Sequence, residues 1–167
     1  MFARLRCLVA GGDVLNPPAV QAVLSHDRPG TFLNGHGPTE NSVLSTVHRV
    51  ENLPPQADSV PIGRPVTAST AYVVRLDGSL AEIGEQGELW VGGDGVAAGY
   101  LNDEDETAEE FVPDPFVTAS GAGAGRLYRT DDLASWRRTG CWSSTDARTA
   151  RTRSAATASN STRPSRR

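Results

Sequence analysis

The sequence predicts an α/β fold of mixed β-strands with few helices, and three observations carry that expectation. Short apolar runs rich in strand-forming residues recur between turns built on Gly, Pro and Asp. One helix start is explicit at Asn16-Pro17-Pro18, with asparagine as cap and proline in the first turn. The last stretch, residues 137–167, has no Val, Ile, Leu, Phe or Met to bury, which confines the fold to residues 1–136 and predicts a disordered tail.

The elements follow in order. RLRCLVA (4–10) is apolar and strand-like and stops at Gly11-Gly12-Asp13. The capped helix continues through AVQAVLSHD. Residues 31–34 form a brief second strand and SVLSTVHRV (42–50) alternates as a third. STAYVVRL (69–76) and GELWVGG (87–93) are further strands, the first of them leading into the turn signal Asp77-Gly78-Ser79. TAEEFV (107–112) has Thr107 followed three residues later by Glu110, the pattern of a capping box. LYRTDDLASW (127–136) is the last expected strand, and no internal repeat is visible.

Composition narrows the function classes. Hydrophobic residues are 38% and aromatics 6%, a thin supply for a self-sufficient core. No apolar run is long enough to cross a bilayer, and MFARLRCLVAGG breaks into Gly-Gly-Asp where a secretory leader would have a cleavage site. Cys7 and Cys141 lie far apart and form no CxxC pair, so reduced thiols and a cytoplasmic location are expected. Charge is split sharply: residues 1–136 carry 19 acids against 8 arginines, and residues 137–167 carry 8 arginines against Asp146 alone. The chain contains no lysine.

The segment LNGHGPTENS (33–42) concentrates chemistry in one corner. Glycines let backbone approach a ligand closely, while Thr39 adds a hydroxyl and Glu40 a carboxylate. That set suits a polyphosphate with a magnesium ion held by oxygen. The same residues also suit an ordinary turn between strands.

NGHGPTE resembles the Asn-x-Tyr-Gly-Pro-Thr-Glu motif of adenylate-forming, AMP-binding enzymes, specifically the adenylation domains of nonribosomal peptide synthetases. IGRPV (62–66), GELWVGGDGVAAGYLN (87–102), TAEEFVPDPF (107–116) and LYRTDDL (127–133) resemble later motifs of that family in the same order. The resemblance covers residues 1–136 and implies the C-terminal portion of the large nucleotide-binding domain, a truncated fragment. The implied reaction is attack of an amino-acid carboxylate on the α-phosphate of Mg·ATP. The acyl group then passes to the phosphopantetheine thiol of a peptidyl carrier protein, beside the other synthetase domains.

The resemblance implies roles residue by residue. The catalytic pair would be Thr39, on the α-phosphate, and Glu40, the ligand of Mg²⁺. Asn34, Gly35, His36 and Gly37 would line the nucleotide, with His36 where the family usually stacks Tyr on adenine. Gly11, Gly12 and Asp13 would lie beside adenine and ribose, and Asp132 would accept from both ribose hydroxyls. Leu8, Ala10, Gly35, Val43 and Leu44 would line part of the pocket for an uncharged amino-acid side chain. Core packing explains those five equally well.

Two positions depart from the pattern. Asp131 stands where the family has Gly, placing a Cβ and a second carboxylate beside Asp132, and Ala98 stands where Arg is common. The family's phosphate loop and amine-binding Asp are not found in these residues, and its C-terminal lysine has no counterpart in a chain without lysine. The 167 residues are therefore expected to be inactive alone. The tail has its own reading. Taken in a displaced frame, residues 138–144 can encode Asp-Gly-Leu-Leu-Glu-Phe, and the codons beyond can give Lys-Ile-Arg-Gly-Tyr-Arg-Ile-Glu, which resembles the family's hinge and first small-domain strand. A frameshift product is expected there, rather than a nucleic-acid arm. Rival readings are an acyl-CoA or aryl-acid ligase of the same superfamily, and a non-catalytic nucleotide-binding module with a basic arm.

Overall fold

The computed structural model describes residues 1–116, 125–137 and 142–144. Its first sheet has the order β1-β2-β3-β4, from Leu8–Gly11, Phe32–His36, Thr46–Arg49 and Arg64–Pro65. β1 and β2 run parallel, in register Leu8 with Phe32 to Gly11 with Gly35. Helix α1, Pro17–His26, makes the crossover between them that parallel strands require. Asn16 caps it as expected, its side chain accepting from the Ala19 amide at 3.1 Å. β3 pairs antiparallel with β2, and β4 pairs antiparallel with β3. Val20 of α1 packs with Phe32, Val50 and Val60, and Leu8 and Ala10 lie against the same cluster.

The second sheet is antiparallel, β5-β6-β8-β7, from Ser69–Val74, Gln86–Gly93, Arg126–Trp136 and Phe111–Pro113. Ile62 joins Val73, Leu89, Val91 and Ala134 in its core. Helix α2, Glu104–Glu110, leads directly into β7. No helix among the described residues is long and apolar enough to cross a membrane.

Several boundaries differ from the sequence reading, each for a visible reason. β1 begins at Leu8 because residues Phe2–Arg4 form a 3₁₀ turn, whose amides, with the N-terminal amine, are drawn to the Asp27 carboxylate. β3 begins only at Thr46, since Ser42 and Val43 are left-handed (φ 54° and 73°) and carry the chain back to close the corner. Residues 75–76 leave β5 for a turn in which Gly78 N–H donates to the Arg75 carbonyl. Asp103, not Thr107, caps α2: its carboxylate accepts from Glu106 N at 3.0 Å, and the Thr107 hydroxyl donates back to the Asp103 carbonyl. The expectation of a tail without structure is corrected at Trp142–Ser144. These residues form β9, antiparallel to β8, with Ala134 opposite Ser144 and Trp136 opposite Trp142. The rest of the displaced-frame segment, with Cys141, lies outside the described residues.

Candidate nucleotide site

A cleft of about 390 Å³ opens between the two sheets. Its floor is the corner after β2. The chain leaves His36, passes Gly37-Pro38 and makes one 3₁₀ turn over Thr39–Asn41. The turn closes when Ser45 N–H donates to the His36 carbonyl at 2.9 Å. Glycine is mandatory at residue 37, where a Cβ would lie 2.4 Å from Ser45 N and 2.8 Å from the Val43 carbonyl oxygen. Gly11 is equally constrained: a Cβ there would sit 2.0 Å from the Gly35 carbonyl oxygen.

Asn41, 1% exposed, ties this corner to the second sheet. Its amide donates to Ser45 Oγ at 2.9 Å and to the Gly92 carbonyl at 3.5 Å. Ala97 N–H donates to the Glu40 carbonyl at 2.8 Å, a second strap between the units. Tyr100 Oη donates to Glu40 Oε1 at 3.1 Å and lies 3.2 Å from Tyr128 Oη.

The opposite wall is β8, which bulges. β6 runs Glu88-Leu89-Trp90 while its partner register jumps from Leu133 to Arg129, leaving Thr130, Asp131 and Asp132 opposite Leu89. The Thr130 hydroxyl donates to the Leu89 carbonyl at 2.6 Å and accepts from Asp132 N at 3.1 Å. Asp131 takes φ 57°, the left-handed conformation that favours the glycine expected there. The bulge brings Asp132 to the cleft, where Oδ2 is 3.4 Å from His36 Nε2. Burial lowers the His36 pKa, so the imidazole is neutral in the neutral range. Its Nε2 is buried without a hydrogen bond among the described residues, with Asp132 at the long distance of 3.4 Å.

The candidate residues divide by where they fall. Gly12, Asp13, Asn34, Gly35, His36, Gly37, Thr39, Glu40 and Asp132 all line the cleft. The Asn34 amide is spent on the Pro61 carbonyl at 2.8 Å, so that side chain anchors the loop before β4. Asp13 accepts from Val14 N at 2.7 Å at the cleft mouth. The five pocket candidates are not gathered in one place. Leu8 and Ala10 face the α1 cluster, whereas a Cβ on Gly35 would meet Leu44 Cδ2 at 2.6 Å and Val9 Cγ1 at 3.4 Å. Val43 is exposed. Val9 is a neighbour that the sequence reading passed over, although its place in the strand alternation gives it the face opposite Leu8 and Ala10.

Tyr100, Tyr128, Glu106, Glu110 and Thr130 were also missed, and all line the cleft. The two tyrosines lie inside family-like motifs without an evident role, because only the fold shows Tyr100 meeting Glu40 and Tyr128 meeting Tyr100. Among the described lining residues, Asp13, Glu40, Glu106, Glu110, Asp131 and Asp132 are carboxylates and none is arginine. Burial first, and then the Asp131 charge, push Glu110 up to about 7. Burial first, then Glu88, raises Asp131 as well. A polyanion entering such a cleft needs a cation with it. Magnesium fits, because it is commonly held by one or two carboxylates together with the ligand's own phosphates. The described residues contain no group of three metal-ligating side chains, and Glu40 adjoins Thr39 in the 3₁₀ turn.

Residues 1–101 match the family model of the AMP-binding enzymes. The chain belongs to that family. Gramicidin S synthase 2 of Brevibacillus brevis is 44% identical over 136 residues, covering 81% of this chain and 3% of that protein. Tyrocidine synthase 3 of Brevibacillus parabrevis is also 44% identical over 136 residues, 81% of this chain and 2% of that protein. Among solved structures, holo-PA1221, a nonribosomal peptide synthetase protein with adenylation and PCP domains bound to a vinylsulfonamide inhibitor, superposes with a TM-score of 0.75 at 35% identity. The match covers 84% of this chain and 24% of that one. The Klebsiella oxytoca NpsA N-terminal subdomain in complex with 3-hydroxybenzoyl-AMSN gives 0.74 at 30% identity, covering 84% and 33%. This member of the family corresponds to part of a synthetase adenylation domain. It spans about 3% of the length of the gramicidin synthase and a quarter to a third of these solved chains.

Proposed function

We propose that this chain carries the nucleotide-facing corner of an amino-acid-adenylating ligase. One observation carries the reading furthest: the meeting of Asp132 and His36, from different sheets, at 3.4 Å in the cleft that also holds Thr39 and Glu40. An ionised carboxylate accepts and cannot donate, which suits Asp132 to both hydroxyls of a ribose. The neutral His36 ring can stack on adenine without adding charge. Thr39 supplies a hydroxyl to the α-phosphate and Glu40 the oxygen ligand of Mg²⁺. In the complete ligase an amino-acid carboxylate would attack the α-phosphate, releasing pyrophosphate and leaving an aminoacyl-adenylate, and an ion held by Glu40 would supply charge neutralisation. The phosphopantetheine thiol of a peptidyl carrier protein would then take the acyl group as a thioester, with AMP as the leaving group.

Gly35, with Val9 and Leu44 around it, would border the amino-acid side chain, favouring a small or apolar one. An aryl acid is the second reading, favoured by the 3-hydroxybenzoyl-AMSN bound in the NpsA neighbour.

The test is calorimetric titration of AMP into the 167-residue chain. Asp132→Asn keeps the shape but loses the double acceptor, and should weaken AMP at least about tenfold, as expected for a hydrogen bond to a charged group. Equal affinities for the wild type and Asp132→Asn would overturn the assignment.

A further inference from the structure

The loop between β6 and α2 lays Tyr100 across the Glu40 carboxylate, and Tyr128 of β8 stands behind it. A phenol has a single proton, and an ionised carboxylate has none to give. Tyr100 spends its proton on Glu40 Oε1, so the 3.2 Å contact between the phenols has Tyr128 as donor and Tyr100 as acceptor. The chain of hydrogen bonds therefore runs one way, from Tyr128 through Tyr100 to Glu40. Burial pushes both phenols up, so they keep their protons throughout the neutral range.

The rings are clamped by Phe111. Its centroid lies 5.4 Å from that of Tyr100, nearly perpendicular at 73°, and 5.1 Å from that of Tyr128. The Tyr100 backbone is pinned too, its N–H donating to Thr107 Oγ1 at 2.8 Å. Glu40 is thus held through its carbonyl by Ala97 and through Oε1 by Tyr100, and Oε2 is the carboxylate oxygen that Tyr100 does not engage.

We propose that Tyr100 and Tyr128 are positioning residues for Glu40, fixing its carboxylate so that Oε2 meets the magnesium ion carried by the nucleotide. The proposal rests on the nucleotide reading above. Magnesium demands near-octahedral geometry at short distance, and a free glutamate must give up rotamer entropy to satisfy it. A carboxylate already immobilised by a phenol has given up most of that freedom on folding.

The experiment measures ATP affinity of the full chain calorimetrically, once in excess Mg²⁺ and once in EDTA. The quantity read is the gain conferred by magnesium. Replacing Tyr100 by Phe preserves the ring and its Phe111 contact while deleting the donor. Tyr100→Phe should lose about tenfold of that gain, the scale of a hydrogen bond to a charged group, read as a loss in Mg²⁺ that exceeds any loss in EDTA. Tyr128→Phe should lose about threefold, because it only polarises the bond in front of it. The Tyr100→Phe, Glu40→Gln double variant should match Glu40→Gln alone, since both remove one coupled unit.

If Tyr100→Phe keeps the full gain while Glu40→Gln loses it, the positioning role is wrong and the nucleotide reading survives. Equal losses with and without magnesium would mark the tyrosines as merely structural and overturn the inference. No magnesium-dependent gain in the wild type would overturn both readings. Should Tyr100→Phe fail to fold, Tyr128→Phe carries the test alone, with retention of the full gain as the refuting result.

Discussion

Glu110 gives the sharpest consequence of the cleft's electrostatics. It ends α2, lines the cleft and is pushed from the ordinary 4.5 to about 7, by burial first and then by Asp131, with Arg129 opposing and Glu88 and Glu109 adding. Between those two values the folded chain holds a proton that the unfolded chain has released. Stability therefore falls as pH rises through the window from 4.5 to about 7. At full linkage such a rise is worth about 3 kcal/mol. Glu110 is only half-buried, and solvent screening brings the expected loss to about 1 kcal/mol. The assay is urea unfolding of the wild type and Glu110→Gln at a series of values from about pH 5 to about pH 8. His36, whose pKa is lowered by burial, contributes with the opposite sign, gaining stability as pH rises, but equally in both proteins. The difference curve isolates Glu110, and the variant should gain about 1 kcal/mol on the wild type across the window. Asp131→Gly should recover part of the same loss by removing the second-largest cause, and it also releases the left-handed aspartate. Parallel curves for wild type and Glu110→Gln would refute the reasoning.

Two other outcomes follow from the same structure. Gly37→Ala forces a Cβ to within 2.4 Å of the Ser45 amide nitrogen, a backbone atom that cannot swing aside. It should cost about 2 kcal/mol or more and weaken AMP binding along with it, read by thermal unfolding and titration. The 167-residue polypeptide alone should show no ATP–pyrophosphate exchange with any amino acid, since it has no lysine to meet the carboxylate and bridging oxygen. Exchange above a protein-free blank, abolished by Glu40→Ala, would contradict this.

Much of the site was legible because it is contiguous. The seven residues from Asn34 to Glu40 carry their own turn chemistry, and glycine, proline, threonine and glutamate each speak for a local requirement. The start of α1 was legible for the same reason, since an asparagine cap and an N-terminal proline act within one turn. Local competition misled the reading at α2, where Asp103 and Thr107 both qualify as caps and the carboxylate of Asp103 took the amide of Glu106. The glycine preference at residue 131 came through a motif, but its cause, a bulge opposite Leu89, belongs to the pairing of β6 with β8.

By itself, then, the sequence determined the turn and the residue types of the corner and the order of its motifs, because turns, caps and close backbone approaches are decided within a few residues. Only the tertiary structure decided which distant residues complete the site. Asp132 reaches His36 across 96 positions of chain, and Tyr100, backed by Tyr128, reaches Glu40, because two separately paired sheets are tied together through Asn41 and the Ala97 amide. It also decided which face each strand residue takes, sending Leu8 and Ala10 to the α1 core and Val9 to the side of Gly35. Alternation along a strand fixes which residues share a face, but which of the two faces is buried depends on what packs against the sheet.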